Sequence, residues 1–212
     1  LFSIVFWAFF EQSGGSLSFF AADNLNDEIL GMHLSPNGVN NSANSLFVIA
    51  FAALVGLVWL WMAKRKIEPN TVIKFGLAFI FLAGGFWVFY YTQFFAHSIG
   101  KTSWGIFTFG WLIVTFGELC LSPIGMSAMT KLSPQKTQAV IMGMWFLASA
   151  YGQYFAGLLG ANIAEASANA TNLEKLIVYA DGYKQLAIYA LVAGLVLIII
   201  SPFVKKLMQG VK

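Results

Sequence analysis

Charge is what this sequence has least of. Only 10% of its 212 residues are Asp, Glu, Lys or Arg, against 58% apolar and 17% aromatic. A soluble domain of similar length carries about 25% charged residues. The chain lacks the surface charge to stay in water and reads as an integral membrane protein. Its longest basic run, Lys64-Arg65-Lys66, lies beside an apolar stretch, and the net charge of +3 leaves no footprint for nucleic acid. A single cysteine, Cys120, excludes an internal disulfide and any multi-cysteine metal site. Lying in an apolar run, it reads as a small packing residue. The two histidines, His33 and His97, stand alone in polar connections, so neither a metal site nor a cofactor is expected. Intramembrane hydrolases need an Asp pair, a Ser–His pair or a metal cluster. With no aspartate or histidine in mid-span, an enzyme is not expected. No initiator methionine or basic segment precedes Leu1, so the signal-peptide pattern is missing. The chain reads as a piece that begins inside a transmembrane helix.

What the sequence has is long apolar runs. Segments of about 20 such residues cross a bilayer as helices. Six are read, over residues 1–22, 44–63, 71–96, 105–126, 139–160 and 183–204, which makes the expected fold all-α. Pro36, Asn37 and Gly38 mark the first connection, 23–43, as irregular, and 161–172 reads as a short helix outside the membrane. The connections alternate in charge. One side holds Lys64, Arg65, Lys66, Lys131, Lys136, Lys205, Lys206 and Lys212, with Lys74 at its boundary. The other holds Lys101, Lys175 and Lys184 against Asp23, Asp27, Glu28, Glu165, Glu174 and Asp181. The positive-inside rule puts the first set, and the C-terminus, in the cytoplasm. Short loops point to a bacterial inner membrane.

Two lone glutamates lie near the middle of apolar runs: Glu11 in the first and Glu118 in the fourth. An ionised carboxylate at the bilayer centre costs roughly 2.5 kcal/mol or more, so such residues face a cavity or a partner and carry function. Trp7 and Glu11, four residues apart, share a helix face. Gln12 and Ser13 make the neighbourhood polar, and Gly14-Gly15 loosens the helix beyond. Desolvation raises a carboxyl pKa and a nearby cation lowers it. A glutamate moved between those environments takes up and releases a proton, and a permanently paired structural glutamate is the alternative. No Lys or Arg is read at mid-membrane depth to pair with Glu11, so a cationic partner belongs to another part of the molecule.

Glu118 follows Gly117 and precedes Ser122-Pro123 by one turn. Proline removes a backbone donor and bends the helix, while Ser122 offers a bond to the freed backbone. A carboxylate beside such a bent, partly unwound backbone is suited to an ammonium group; a fixed helix–helix hydrogen bond is the alternative. Asn44 opens the second span and Trp145 lies in the fifth. By themselves they read as a helix-start residue and an ordinary bundle aromatic, or as a cavity wall. Ala148, Gly152, Ala156 and Gly160 form a small-residue stripe at four-residue spacing, a packing seam. Asn40-Asn41-Ser42 and Asn169-Ala170-Thr171 fit the glycosylation pattern, a short match that arises by chance.

Three stretches together resemble a known family. Phe6-Trp7-Ala8-Phe9-Phe10-Glu11-Gln12-Ser13-Gly14, Gly117-Glu118-Leu119-Cys120-Leu121-Ser122-Pro123-Ile124-Gly125, and Met144-Trp145-Phe146-Leu147 with Gly152 and Gly157 resemble helices seven, ten and eleven of the proton-dependent oligopeptide transporter (POT) family. The resemblance spans essentially the whole chain. It implies the six-helix C-terminal bundle of a major facilitator fold, an N-terminal helical bundle as its partner, and symport of di- and tripeptides with protons. It assigns the peptide's amino terminus to Glu118, and proton coupling to Glu11 through a helix-one arginine. Trp145 is similar to the tryptophan lining a side-chain pocket, Trp7 to a further cavity aromatic, and Asn44 to a peptide-contacting asparagine. Ser45 stands where proline often follows that asparagine, and Ser122 is a gate or cavity residue. The helix-one motif of the family is absent. A carrier for another solute such as nitrate is the nearer alternative, and a channel the more distant one.

Overall fold

The computed structural model describes residues 2–26, 28–29, 32–167 and 170–207; Leu1, Asp27, Asn169 and Lys212, named above, lie outside the described residues. Helix α1 (Phe2–Phe10) gives way to a 3-10 turn (Glu11–Gly14) and then α2 (Ser16–Asn24). A two-stranded antiparallel ribbon follows, β1 (Glu28–Ile29) and β2 (Met32–His33), pairing Glu28 with His33. Five long helices follow among the described residues: α3 (Pro36–Lys64), α4 (Thr71–Tyr91, extended by a 3-10 turn Thr92–Phe95), α5 (Trp104–Leu132), α6 (Gln138–Ser167) and α7 (Asn172–Leu207).

Among the described residues, four segments are long and apolar enough to cross a membrane: Pro36–Lys64, Thr71–Phe95, Trp104–Leu132 and Asn172–Leu207. Helix α6 has 30 residues, but Gln153 between Tyr151 and Tyr154 dilutes its apolar character. The first span is interrupted at Glu11. The described residues of all six expected segments are helical over most of their length, and the corrections concern their ends and interiors.

Residues 36–43 are helical rather than irregular. Pro36 occupies the first turn of α3, and the Ser35 hydroxyl accepts the Gly38 N–H at 3.3 Å. A proline there starts a helix, because its missing N–H would be unpaired anyway. Of the segment 161–172 expected as a short separate helix, residues 161–167 instead continue α6 to Ser167 and Asn172 opens α7. Helix α7 begins at Asn172, well before Tyr183. Pro123 does not unwind α5, which stays helical from Trp104 to Leu132 with the proline ring exposed.

Within lipid, helices associate by close packing rather than by escape from water. Helix α4 lies between α5 and α7, and rings from several elements fill the core. Phe20 stacks on Phe107 at 5.8 Å, and Phe89 meets Trp111 at 6.1 Å and Tyr183 at 5.8 Å. These are the offset and edge-on distances that aromatic pairs favour.

The small-residue stripe of α6 is the seam against the broken first span. A Cβ on Gly152 would lie 2.3 Å from the Cβ of Trp7 and 3.0 Å from the Ala8 nitrogen. Neither atom can swing aside. Gly152→Val is therefore expected to lower the melting temperature of the purified protein, overpacking costing about 1–3 kcal/mol. Gly157→Val, on the same helix with nothing within 4 Å, is the control. Equal melting of the two variants would refute the seam.

One end of the bundle is tied by polar bonds between distant segments. Asn24, fully buried, donates to the Gly100 carbonyl at 2.8 Å and the Asn172 carbonyl at 2.7 Å. Its own carbonyl accepts the Thr102 N–H at 2.7 Å. Asp23 accepts from Lys175 Nζ at 3.2 Å and from the Tyr179 hydroxyl at 3.1 Å. Gly100 takes φ +76 where the chain turns against Asn172, a conformation that excludes most side chains. The opposite end is held differently. Lys74 pairs with Glu68 and lies 4.8 Å over the Trp59 ring, while Gln138 donates to the Thr130 carbonyl at 3.1 Å.

Candidate functional site

The break in the first span is made by its own polar residues. From Glu11 to Gly14 the backbone tightens to a 3-10 turn, and carbonyls lose their regular helical donors. At membrane depth such backbone persists only where something else satisfies it. Gln12, fully buried, donates from Nε2 to the Ala8 carbonyl at 3.1 Å and to the Ala156 carbonyl at 3.3 Å. Its Oε1 accepts the Ser16 hydroxyl at 2.6 Å. The Ser13 carbonyl accepts from Asn40 Nδ2 at 2.9 Å and from the Ser18 hydroxyl. A short 3-10 stretch inside a helix often marks a functional hinge.

The facing wall comes from α5 and α3. Trp111, Thr115 and Glu118 are spaced four and three residues apart and share one face of α5. Asn40 and Asn44 do the same on α3. Asn44 Nδ2 donates to Glu118 Oε2 at 2.8 Å and lies 3.2 Å from Thr115 Oγ1. The Thr115 hydroxyl donates to the Trp111 carbonyl at 2.8 Å, and Trp111 Nε1 donates to Asn40 Oδ1 at 3.2 Å.

These walls enclose a mainly polar pocket of about 280 Å³. Glu11 and Ser13 line it from the break, Asn40, Asn41 and Asn44 from α3, and Trp111 and Glu118 from α5, with Trp7 and Phe10 beside Glu11. Both carboxylates are half-buried. Glu11 is touched from α6 by Gln153, whose Nε2 lies 3.4 Å from Oε1. Trp7 is buried, and its indole N–H has no partner among the described residues. No Lys or Arg is among the lining residues.

Four of the expected site residues, Glu11, Glu118, Asn44 and Trp7, thus line one pocket. Two lie elsewhere. Trp145 is buried against Gly125, where a Cβ would come within 2.0 Å of its ring, and lies 6.3 Å from Phe75. It lines a second, largely apolar cavity of about 740 Å³ with Phe2, Val72, Met144, Ala148 and Leu197. Ser122, half-buried one turn beyond Glu118, makes no side-chain hydrogen bond among the described residues, so the expected bond to freed backbone at Pro123 is not formed. Sequence reasoning missed Asn40, Trp111, Thr115 and Gln153. The spacings Asn40/Asn44 and Trp111/Thr115/Glu118 are the signal that could have found the first three.

The sequence profile of the POT family matches residues 1–177. The chain belongs to the POT family. It is 36% identical over 162 residues to the peptide transporter YePEPT of Yersinia enterocolitica subsp. palearctica, covering 74% of this chain and 31% of that protein. It is 33% identical over 214 residues to the uncharacterized transporter YclF of Bacillus subtilis, covering 99% of this chain and 39% of that protein. The crystal structure of a mutant of peptide transporter POT in complex with alafosfalin superposes with a TM-score of 0.83 at 31% identity, over 99% of this chain and 40% of that one. This POT-family chain therefore spans about two fifths or less of the length of these relatives. It is an integral membrane protein of a transporter family with that family's helical fold.

Proposed function

We propose that this chain forms the C-terminal half of a carrier moving di- and tripeptides together with protons across a bacterial inner membrane, its C-terminus in the cytoplasm. The observation that carries this reading is the pairing of Glu11 and Glu118 on two walls of one pocket, with no cation among its described lining residues to neutralise either. A peptide's ammonium group brings the missing charge. Asn44 holds one oxygen of Glu118, which orients the carboxylate and leaves the other oxygen for the ligand. Charge-assisted bonds of this kind are about twice as strong as neutral ones. Because the pocket offers no cation, the peptide's carboxylate is met by the N-terminal bundle. Trp7 completes the wall beside Glu11, Trp145 supplies an apolar surface for a peptide side chain, and Ser122 is a gate or cavity residue.

Glu11 carries the proton. Ionised, it pairs with an arginine of the other bundle; protonated, it loses that attraction. Proton binding thus changes the relative stability of the two access states, and the two bundles rock about the site. Protons are the coupling ion, and the chemistry calls for no cofactor.

The test is uptake of a labelled dipeptide into liposomes holding the full-length transporter, with and without an inward proton gradient. Saturable accumulation that needs the gradient, and that unlabelled di- and tripeptides suppress, is expected. Flux indifferent to the gradient would point to a channel. Suppression by nitrate but not by peptides would point to another solute.

A further inference from the structure

We infer that Asn40 is the positioning residue for Glu11: it pins the 3-10 turn that carries Glu11 to the wall that carries Glu118. The inference rests on the carrier reading above. Asn40 is 1% exposed, yet it sits at the edge of the polar pocket. Each end of its amide is committed to a different element. Nδ2 donates to the Ser13 carbonyl at 2.9 Å, inside the turn and two residues after Glu11. Oδ1 accepts from Trp111 Nε1 at 3.2 Å on α5.

The turn depends on such a partner. A break in a membrane helix strips carbonyls of their donors, and a buried carbonyl without one is costly. Among the described residues, Asn40 is one of two side chains that meet the Ser13 carbonyl, and the one that reaches it from outside the broken first span, Ser18 lying five residues on in α2. Without it, the segment bearing Glu11 is free to return toward regular helix, which turns the Glu11 side chain about the helix axis.

The position of Asn40 on α3 adds a second consequence. One helical turn later Asn44 holds Glu118 at 2.8 Å. A single face of α3 thus places both carboxylates, Asn40 through the backbone of one and Asn44 through the side chain of the other. A rotation of α3 driven by peptide at Glu118 is transmitted to Glu11. Among the described residues, the titratable group facing Glu11 across the pocket is Glu118 on α5, while α3 and α6 present amides, Asn40, Asn41, Asn44 and Gln153.

The experiment compares Asn40→Leu and Asn40→Ser with the unmodified full-length transporter in proteoliposomes. Two fluxes are read: gradient-driven dipeptide accumulation across a series of external pH values, and peptide-for-peptide exchange without a gradient. A displacement of about 1 Å in a working group can cost about a hundredfold in rate. Driven accumulation is expected to fall about tenfold or more with an altered pH profile, and by a clearly larger factor than exchange does. Melting temperatures are read in parallel. Proportional loss of both fluxes with lowered melting would mean that Asn40 is merely structural and would overturn the inference. So would variants whose driven accumulation and pH profile are unchanged. If the unmodified transporter itself neither exchanges nor accumulates peptide, the carrier reading fails and this inference falls with it. Normal behaviour of that protein confines any failure to Asn40.

Discussion

Peptide affinity is expected to drop about ten- to a hundredfold in Glu118→Gln, because a hydrogen bond to a charged group contributes about 1.5–3 kcal/mol. The substitution is close to isosteric, and its amide oxygen still accepts from Asn44 Nδ2, which lies 2.8 Å from Oε2 in the unmodified protein. The wall should therefore keep its shape and lose only its charge. The informative measurement is competition by a dipeptide and by its N-acetylated form. The unmodified transporter should discriminate strongly between them, since only the free amine presents an ammonium group. Glu118→Gln should discriminate weakly. If the variant still prefers the free amine as strongly, the ammonium lies elsewhere and the assignment of Glu118 fails.

Glu11→Gln gives the complementary result. A permanently neutral side chain imitates the protonated carboxyl, so a proton gradient has nothing left to act on at this position. Peptide exchange should persist, because Glu118, Asn44 and Trp111 are untouched. Accumulation above equilibrium should disappear, and uptake should lose its dependence on external pH. Separating a lost drive from an intact exchange requires both fluxes to be read on the same vesicles. A variant that still concentrates peptide against its gradient would remove Glu11 from the coupling role.

Much of this architecture was legible in the sequence. A 58% apolar composition with six separated runs leaves little but a helical bundle, because backbone in lipid must satisfy its own hydrogen bonds. Both carboxylates were visible as exceptions to that composition. What sequence reading misjudged was local punctuation. Pro36 looked like a loop marker and starts α3; Pro123 looked like a point of unwinding and lies within an unbroken α5. In each case the same residue type has opposite meanings, decided by which neighbouring groups are already unpaired. The Gly14-Gly15 pair suggested loosening beyond Glu11, whereas the 3-10 turn begins at Glu11 itself. Gln12 and Asn40 supply the reason, and Asn40 comes from a helix distant in sequence. Spacing alone does not predict that contact. Asn40 also fell in a stretch read as irregular, so its helical alignment with Asn44 stayed hidden.

Among the described residues, the bundle resembles a sheaf bound more firmly at one end than at the other. Around Asn24 the ties join stretches far apart along the chain, reaching Gly100, Thr102 and Asn172, with Asp23 adding Lys175 and Tyr179. At the lysine-rich end the described polar ties, Glu68 to Lys74 and Gln138 to Thr130, connect near neighbours within a hairpin. The 740 Å³ apolar cavity beside Trp145 opens among the helix ends there. Stiffness is therefore graded along the membrane normal. A force delivered at mid-height is resisted at the bound end and converted into splaying at the other, as a clamped lever bends at its free tip. Amide hydrogen exchange should follow that gradient, slow around residues 100–102 and faster near 129–132, with the crossover at the level of the two glutamates.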